Sequence, residues 1–241
     1  MMKKIGIISA AILAMMCSTA SAQYYDEYGN WRETRYTNSV NSYSSEFEDG
    51  WGTFYAGYAP MQLTTTVHDG ENRLYHTATV GFTYNFQLGY SPVFLAPAWE
   101  ASGAWFSERY KDGTKYSMNL YYSKIPVNLA FRFDVAPEFA IVPFGGVYVK
   151  WNIYAEEREK DIEGYTHKWE IFNDDYMYDD DYNRFQFGYQ AGLRLIIGNC
   201  ISIGAAWTAD LTSFCKYYDE YSRREEKEKF QGVSFTLGYV F

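Results

Sequence analysis

The sequence has 241 residues, of which 20% are aromatic and only 21% are charged, and its formal net charge is −9. This acidic balance argues against a nucleic-acid partner, because such partners require clustered Lys and Arg side chains. The length suits one all-β domain, and no apolar run beyond the first segment reaches the roughly 20 residues of a membrane-spanning helix.

Residues 1–22 have the pattern of a cleaved secretory signal peptide. Two lysines precede an apolar run over residues 5–16, and the segment ends in Ala20-Ser21-Ala22, which is typical of a cleavage site. The apolar run is too short to cross a bilayer as a helix. Cleavage after Ala22 would remove both lysines and change the formal charge from −9 to −11.

The three cysteines are expected to form no disulfide. Cys17 could carry a lipid anchor, but Met16 precedes it where a small residue is expected, so we favour its removal with the signal peptide. Cys200 and Cys215, if both lie on one extended strand, would be roughly 50 Å apart. A disulfide requires Cα atoms within about 7 Å of each other. We therefore expect two thiols, even in an oxidising compartment.

Residues 23–50 are polar, rich in Tyr and without a clear period, which favours a disordered periplasmic tail over a small ordered cap. Beyond them, period-two alternation predicts eight strands. The alternation is clearest within residues 78–88, 124–133, 185–197, 201–211 and 230–241, and looser within 51–61, 93–106 and 139–153. In the last strand the apolar side consists of Val233, Phe235, Leu237, Tyr239 and Phe241.

The connections between these strands alternate in length. Short ones are predicted near residues 89–92, 134–138 and 198–199, and long polar ones near 62–74, 107–118, 154–183 and 213–229. Antiparallel neighbours joined in this way form an up-and-down meander. Transmembrane barrels have the same asymmetry, with short periplasmic turns and longer extracellular loops. We expect both termini to be periplasmic.

The volume of a barrel decides which face of the strands points outward. An eight-stranded barrel has an interior just wide enough to be filled by side chains. Four or more bulky apolar groups from each strand would overpack it, so the apolar face is predicted to face lipid. The predicted fold is an all-β, eight-stranded antiparallel up-and-down transmembrane β-barrel, with a soluble lipocalin-like barrel as the alternative. Candidates for interfacial aromatic girdles are Trp99, Trp105, Tyr121, Trp151, Trp207 and Tyr239.

The opposite face would line the lumen with a polar network. Its predicted members are Glu100, Lys124, Asn128, Arg132, Lys150, Gln186, Gln190, Arg194 and Asp210. Charges in so narrow a space must be paired or hydrogen-bonded, because an isolated one costs several kcal/mol. We expect a structural polar plug; the alternative is a narrow pore for protons or small ions.

The chain resembles the eight-stranded outer-membrane β-barrel proteins of Gram-negative bacteria, including OmpA- and OmpX-like barrels and particularly the PorT-like set common in Bacteroidetes. The resemblance covers residues 51–241 and rests on "YSKIPVNLAFRF", "FGYQAGLRL", "ISIGAAWTADLTSF" and "GVSFTLGYVF". It implies a place in the cell outer membrane, contact with membrane lipids and lipopolysaccharide, and a last strand read by the barrel assembly machinery. Unlike OmpA-type proteins, this sequence has no periplasmic domain after the barrel.

No catalytic, metal or cofactor site is predicted. The acidic stretch at residues 173–183 could bind Ca²⁺, but it lacks the EF-hand spacing, and a solvated loop is favoured. His68 and His76 could support a hydrolase, yet no G-x-S-x-G signature occurs. The expected role is therefore structural or surface interaction, with a ligand that the sequence does not name. Alternatives are the narrow pore, a secretion-associated accessory barrel suggested by the resemblance, a soluble carrier and a membrane hydrolase.

Overall fold

The computed structural model describes residues 24–25, 31–32, 50–65, 73–89, 91–110, 112–136, 138–172, 181–219 and 224–241. Its eight long strands are β1 (Trp51–Thr65), β2 (Arg73–Gln87), β3 (Val93–Arg109), β4 (Lys115–Phe131), β5 (Phe139–Lys160), β6 (Phe185–Ile197), β7 (Ile201–Asp210) and β8 (Arg224–Val240). The predicted signal peptide lies outside the described residues, as does most of the predicted tail. Within that tail, Tyr24–Tyr25 pairs antiparallel with Trp31–Arg32.

The eight strands form a closed antiparallel meander. Each strand pairs with the next along the chain, and β8 also pairs with β1, from Val240 opposite Thr53 to Glu228 opposite Thr65. The seam extends one residue further, because the N–H of Gly52 donates to the carbonyl oxygen of Phe241 (2.8 Å) and the N–H of Phe241 donates to that of Gly52 (3.0 Å). The predicted all-β, eight-stranded antiparallel barrel is confirmed.

The two ends of the barrel differ in their connections. At one end, here called the short-turn end, the connections are residues 88–92, 132–138 and 198–200. Gly198 and Asn199 have φ values of 60° and 51°, as a two-residue turn of the hairpin type requires. The remaining connections, residues 66–72, 110–114, 161–184 and 211–223, define the long-loop end.

Six of the eight barrel strands, all except β6 and β7, run further toward the long-loop end than the alternation predicted. The connection between β3 and β4 is residues 110–114, so the long loop predicted at 107–118 is wrong. Strand Thr166–Glu170 pairs with the last residues of β5, and strand Cys215–Asp219 pairs with the first residues of β8. Alternation marks a strand only where its two faces meet different surroundings. Beyond the apolar belt the outer face becomes polar, and at Glu156–Lys160 both faces are polar, although the backbone ladder continues.

The apolar face of every barrel strand points outward. Phe187 is 52% exposed, Ile203 is 45% exposed, and of the predicted apolar side of β8 only Tyr239 is partly covered. Trp99, Trp105, Tyr121, Trp151 and Trp207 are also exposed on the outer wall. Tyr239 instead stacks on Phe241 at a centroid distance of 6.3 Å. The described residues contain no helix long and apolar enough to cross a membrane.

The two cysteines of the barrel lie at opposite ends. Cys200 lies in the turn before β7, at the short-turn end, whereas Cys215 follows β7 at the long-loop end. Both side chains are buried thiols. The expectation that they form no disulfide is confirmed, because β7 separates them.

Candidate functional site

The interior of the barrel is built in three layers. The layer at the short-turn end is apolar and contains Trp51, Phe94, Ala96, Ala130, Ala140, Val142, Ile196 and Val240. A second apolar layer lies at the long-loop end and includes Met61, Leu63, Tyr75, Phe106, Met118, Leu120, Phe214 and Phe230. Between them lies a polar layer that holds most of the predicted lumen residues. Sequence analysis did not anticipate the two apolar layers.

Aromatic contacts hold each apolar layer together. At the short-turn end, the rings of Trp51 and Phe94 meet edge to face at 4.5 Å. At the long-loop end, Tyr75 contacts the rings of Phe106 (5.2 Å) and Phe230 (5.1 Å). Its hydroxyl donates to the sulfur of Met118 (3.0 Å). Each layer therefore places large rings across the interior.

One polar network is centred on Glu100. This carboxylate contacts the ammonium of Lys124 at 2.7 Å and accepts a hydrogen bond from the Tyr55 hydroxyl at 2.8 Å. Lys124 also donates to the amide oxygen of Gln190 (3.2 Å), and the Gln190 amide nitrogen donates to Asn128 (3.0 Å). Side chains from β1, β3, β4 and β6 are thereby linked across the lumen.

A second network is centred on Asp210, at the end of β7. Its carboxylate accepts hydrogen bonds from the Lys150 ammonium (2.5 Å), the Tyr148 hydroxyl (2.7 Å) and the Gln186 amide (2.8 Å). Gln186 in turn accepts a bond from Asn152 (2.9 Å). Lys150, Gln186 and Asp210 are all buried. Three donors on one carboxylate compensate much of its cost of desolvation.

Arg132 and Arg194, the two arginines of the predicted network, lie outside the two hydrogen-bonded groups described above. Arg132 lies at the short-turn end, where its Nε donates to Asp134 (2.8 Å) and its guanidinium lies 5.2 Å from the ring of Trp51. Arg194 lies over the ring of Phe144 at 4.4 Å. Its Nη1 atom is buried and has no hydrogen-bond partner among the described residues.

Several of the polar contacts cross a glycine on the strand between the two partners. Tyr55 on β1 and Glu100 on β3 both pair with Gly81 on β2. A Cβ atom on Gly81 would lie 2.6 Å from Cζ of Tyr55, so only glycine leaves the hydroxyl its path to Glu100. We call this a glycine-bridged pair. Two more have the same form: Tyr148–Gly188–Asp210, at 2.7 Å, and Asn128–Gly146–Gln190, at 3.0 Å.

Sequence analysis missed the tyrosines of these networks. Tyr55 and Tyr148 were not among the predicted lumen residues, whereas both point into the lumen. The alternation of side chains along a strand could have identified Tyr148, because it is two residues from Lys150 and therefore lies on the same face. Asn152 shares that parity and was also missed.

A cavity of about 70 Å³ lies within the polar layer. A buried water needs roughly 10–15 Å³ by the same measure, so the cavity has room for several waters. Its lining includes Glu100, Lys124, Arg194, Ser202 and Thr236.

The histidines and acidic residues of the described ranges form no recognisable catalytic or metal centre. His76 lies at the outer wall, where its Nδ1 is 2.6 Å from the Tyr58 hydroxyl and its ring stacks on Trp105. Within the described ranges, no group of three or more His, Cys, Asp or Glu side chains is placed to hold a metal ion. His68 and residues 173–180 of the predicted acidic loop lie outside the described residues.

Comparison with known proteins places the chain in a family. Residues 36–213 match the family described as "Outer membrane protein beta-barrel domain". No curated protein matches the chain. Similar solved structures include Ail of Yersinia pestis in complex with sucrose octasulfate, with 12% identity over 80% of this chain and 99% of Ail and a TM-score of 0.44.

Two further solved structures are similar to the chain over most of its length. Neisserial surface protein A has 8% identity over 79% of this chain and 97% of its own, with a TM-score of 0.45. The N-terminal barrel of Pseudomonas aeruginosa OprF has 10% identity over 80% and 99%, with a TM-score of 0.30. Because the family match spans well over half of the chain, the protein belongs to the outer membrane β-barrel domain family and is a protein of the outer membrane.

Proposed function

We propose that the protein is a non-conducting, non-enzymatic barrel that supports a surface-interaction or structural role at its long-loop end. The observation that carries this proposal is the pair of apolar layers that enclose the polar centre of the lumen. An ion that crossed the barrel would have to pass the rings of Phe106 and Phe230 and also those of Trp51 and Phe94. Apolar constrictions block ions because water leaves them.

The charges of the central layer support the same role. Glu100 is occupied by Lys124 and Tyr55, and Asp210 is occupied by Lys150, Tyr148 and Gln186. A general acid or base needs access to a substrate, whereas both carboxylates lie inside the closed barrel. Buried, mutually bonded polar groups instead fix the positions of the strands that carry them.

The long-loop end offers a firm platform for a partner. The ladder between β4 and β5 continues to Lys115 opposite Lys160, and strand Thr166–Glu170 extends it by one strand. Glu156 bonds to Arg158, whose guanidinium lowers the pKa of the Glu156 carboxyl below its usual range. Charges of both signs therefore lie on a hydrogen-bonded sheet, which keeps their spacing.

We also propose partners that follow from the sequence resemblance. Outer-membrane lipids and lipopolysaccharide would contact the apolar outer wall, and the barrel assembly machinery would read β8. In support, Phe235, Leu237 and Phe241 of this strand are all about half exposed on the outer wall. The PorT-like subtype stays a prediction from the quoted motifs.

Single-channel recording in planar bilayers tests the closed lumen. The wild-type protein should give no steady conductance steps. Phe106→Ala with Met118→Ala removes bulk from the long-loop layer, and Trp51→Ala with Phe94→Ala removes bulk from the short-turn layer. We expect current only when all four substitutions are combined, because either intact layer blocks the path. Phe187→Ala with Val147→Ala, on the outer wall, is the matched control.

Folding of each variant is checked by the mobility of unboiled samples on gels. Steady current through the wild-type barrel would overturn the proposal. A folded fourfold variant that stays silent would show that the apolar layers are not the barrier.

A further inference from the structure

The central layer of the lumen carries one positive charge in excess. Among the described residues, its charged groups are three cations and two carboxylates: Lys124, Lys150, Arg194, Glu100 and Asp210. Lys124 pairs with Glu100 at 2.7 Å and Lys150 with Asp210 at 2.5 Å. Arg194 is left over, and an arginine side chain keeps its charge in proteins. Arg132 does not enter this sum, because it lies in the short-turn layer beside Asp134.

Arg194 is placed where a partner is needed. Its Nη1 is buried and donates a hydrogen bond to no described residue, and the ring of Phe144 lies 4.4 Å from the guanidinium. An unpaired charge in an enclosed interior is strongly unfavourable. A cation–π contact does not satisfy the N–H donors, which lie in the plane of the guanidinium.

The backbone around Arg194 repeats the glycine-bridged arrangement with one difference. Arg194 on β6 pairs with Gly204 on β7, and Gly204 pairs with Thr236 on β8. In the three glycine-bridged pairs described above, the two outer side chains hydrogen-bond directly. Here a cation faces a small hydroxyl. A Cβ atom on Gly204 would lie 2.5 Å from Oγ1 of Thr236 and 3.3 Å from Cγ of Arg194, so both side chains border the space above this glycine.

The cavity is located beside Gly204 and Thr236. Thr236 pairs onward with Gly57 on β1, so two of the four residues across β6, β7, β8 and β1 have no side chain. Arg194, Thr236 and Ser202 line the resulting space of about 70 Å³. The wall of one cavity therefore carries a guanidinium and two hydroxyls, which are the kinds of hydrogen-bond donor that anion sites use.

We propose that this cavity binds one small monovalent inorganic anion, of which chloride is the type, between Arg194 and the hydroxyls of Thr236 and Ser202. The ion is monovalent because the excess is one charge. It is small because the cavity is shared with waters and closed at both ends by apolar layers. It is taken up as the barrel closes around it, and it completes the charge balance of the polar layer.

Unfolding at several chloride concentrations tests the proposal. The purified protein is unfolded by denaturant in lipid vesicles, with gluconate replacing chloride at constant ionic strength. If one chloride is released on unfolding, the unfolding equilibrium constant falls about tenfold for each tenfold rise in chloride above its dissociation constant. No dependence on chloride would overturn the proposal, since water alone would then fill the cavity.

Three variants separate this site from general salt effects. Arg194→Met should abolish the chloride dependence. Thr236→Asp should also abolish it without unfolding the barrel, because the new carboxylate supplies the missing negative charge beside Arg194. Arg132→Met is the control and should keep the wild-type dependence. A Thr236→Asp protein that retains that dependence, or an Arg132→Met protein that loses it, would contradict the proposed site.

Crystals grown in bromide give a direct readout of the same site. An anomalous peak is expected beside the guanidinium of Arg194 in the wild type and not in Thr236→Asp. Absence of that peak in the wild type would count against anion binding, whatever the unfolding data.

Discussion

At the scale of single residues, the lumen combines long polar side chains with glycines on the strands between them. Tyr148 and Asp210 lie on strands separated by β6, and they meet because Gly188 lies between them. Lys150 reaches the same carboxylate from β5. The energetics of this group depend on complete pairing, because removal of one partner leaves the other charged and buried.

Loss of the Lys150 ammonium should lower the stability of the barrel, and a second substitution at Asp210 should restore most of it. We expect Lys150→Met to lower the free energy of unfolding by about 3–5 kcal/mol, because Asp210 then stays buried without its cation. Lys150→Met with Asp210→Asn should recover most of the loss, since the amide oxygen can still accept from Tyr148. Denaturant unfolding in lipid vesicles measures both. A double variant no more stable than Lys150→Met would contradict this account.

A methyl group on Gly188 should break a glycine-bridged pair. Its Cβ would lie 2.2 Å from Cζ of Tyr148 and 2.6 Å from the carbonyl oxygen of Ala209, so the ring or the backbone must move. We expect Gly188→Ala to lower the free energy of unfolding by about 1–3 kcal/mol, as overpacking does. At Gly145 the nearest atom would be 3.7 Å away. Gly145→Ala is therefore the control, and equal effects at the two sites would refute the explanation.

At the scale of elements, a long strand such as β5 has an apolar belt and a polar extension. In β5, of 22 residues, exposed apolar side chains end at Ile153, and charged residues follow from Glu156 onward. A transmembrane strand needs only about 9–11 residues. The ladder to β4 continues through both parts, so backbone pairing and the choice of side chains are independent along one strand.

A charge in the belt of β5 should cost far more than one in its extension. Val147 is 61% exposed near the centre of the belt, and we expect Val147→Arg to cost about 2–4 kcal/mol of unfolding free energy in a bilayer. Glu159→Arg, in the exposed extension, should change stability by less than about 0.5 kcal/mol. Unfolding of both variants in vesicles makes the comparison. Similar losses at the two positions would mean that the bilayer does not lie at this level.

At the scale of the whole molecule, closure joins the first and last strands. Every barrel strand has a neighbour on each side, because β8 pairs with both β7 and β1. A bilayer demands this arrangement, since an open sheet edge would leave N–H and carbonyl groups without partners in hydrocarbon. The lipid surroundings require both the apolar outer wall and the closed ladder of backbone hydrogen bonds.

A crosslink should form across the seam between β1 and β8. Ala56 and Leu237 are direct Cα partners and both face outward. In a protein whose two barrel cysteines, Cys200 and Cys215, are replaced by Ala, we expect Ala56→Cys with Leu237→Cys to oxidise to a disulfide and to run faster on a non-reducing gel after boiling. Ile203→Cys with Ala56→Cys is the control, because a third strand separates them, roughly 10 Å apart. A crosslink only in the control pair would contradict the pairing.

Much of the fold could be predicted because a strand's parity assigns each residue to one face. Lys150 and Asp210 were assigned to the lumen without knowledge of any contact, and the structure places both there. Tyr148 was left out of the predicted lumen network because parity was not applied to it, although it is two residues from Lys150. The end of β5 was predicted wrongly for a different reason. Both faces are polar at Glu156–Lys160, so the alternation disappears there while the backbone pairing continues.

Local sequence patterns were enough to assign the class of the molecule, the number of barrel strands and the outward direction of the apolar face. These follow from local period and from the small volume of an eight-stranded lumen, which are properties of the chain alone. Which lumen groups contact each other depends on the folded barrel. Lys150 reaches Asp210 across β6, and Arg194 forms no direct ion pair with either carboxylate, because stagger and closure set which levels face each other. Contacts between distant strands depend on this global geometry, and no local pattern records it.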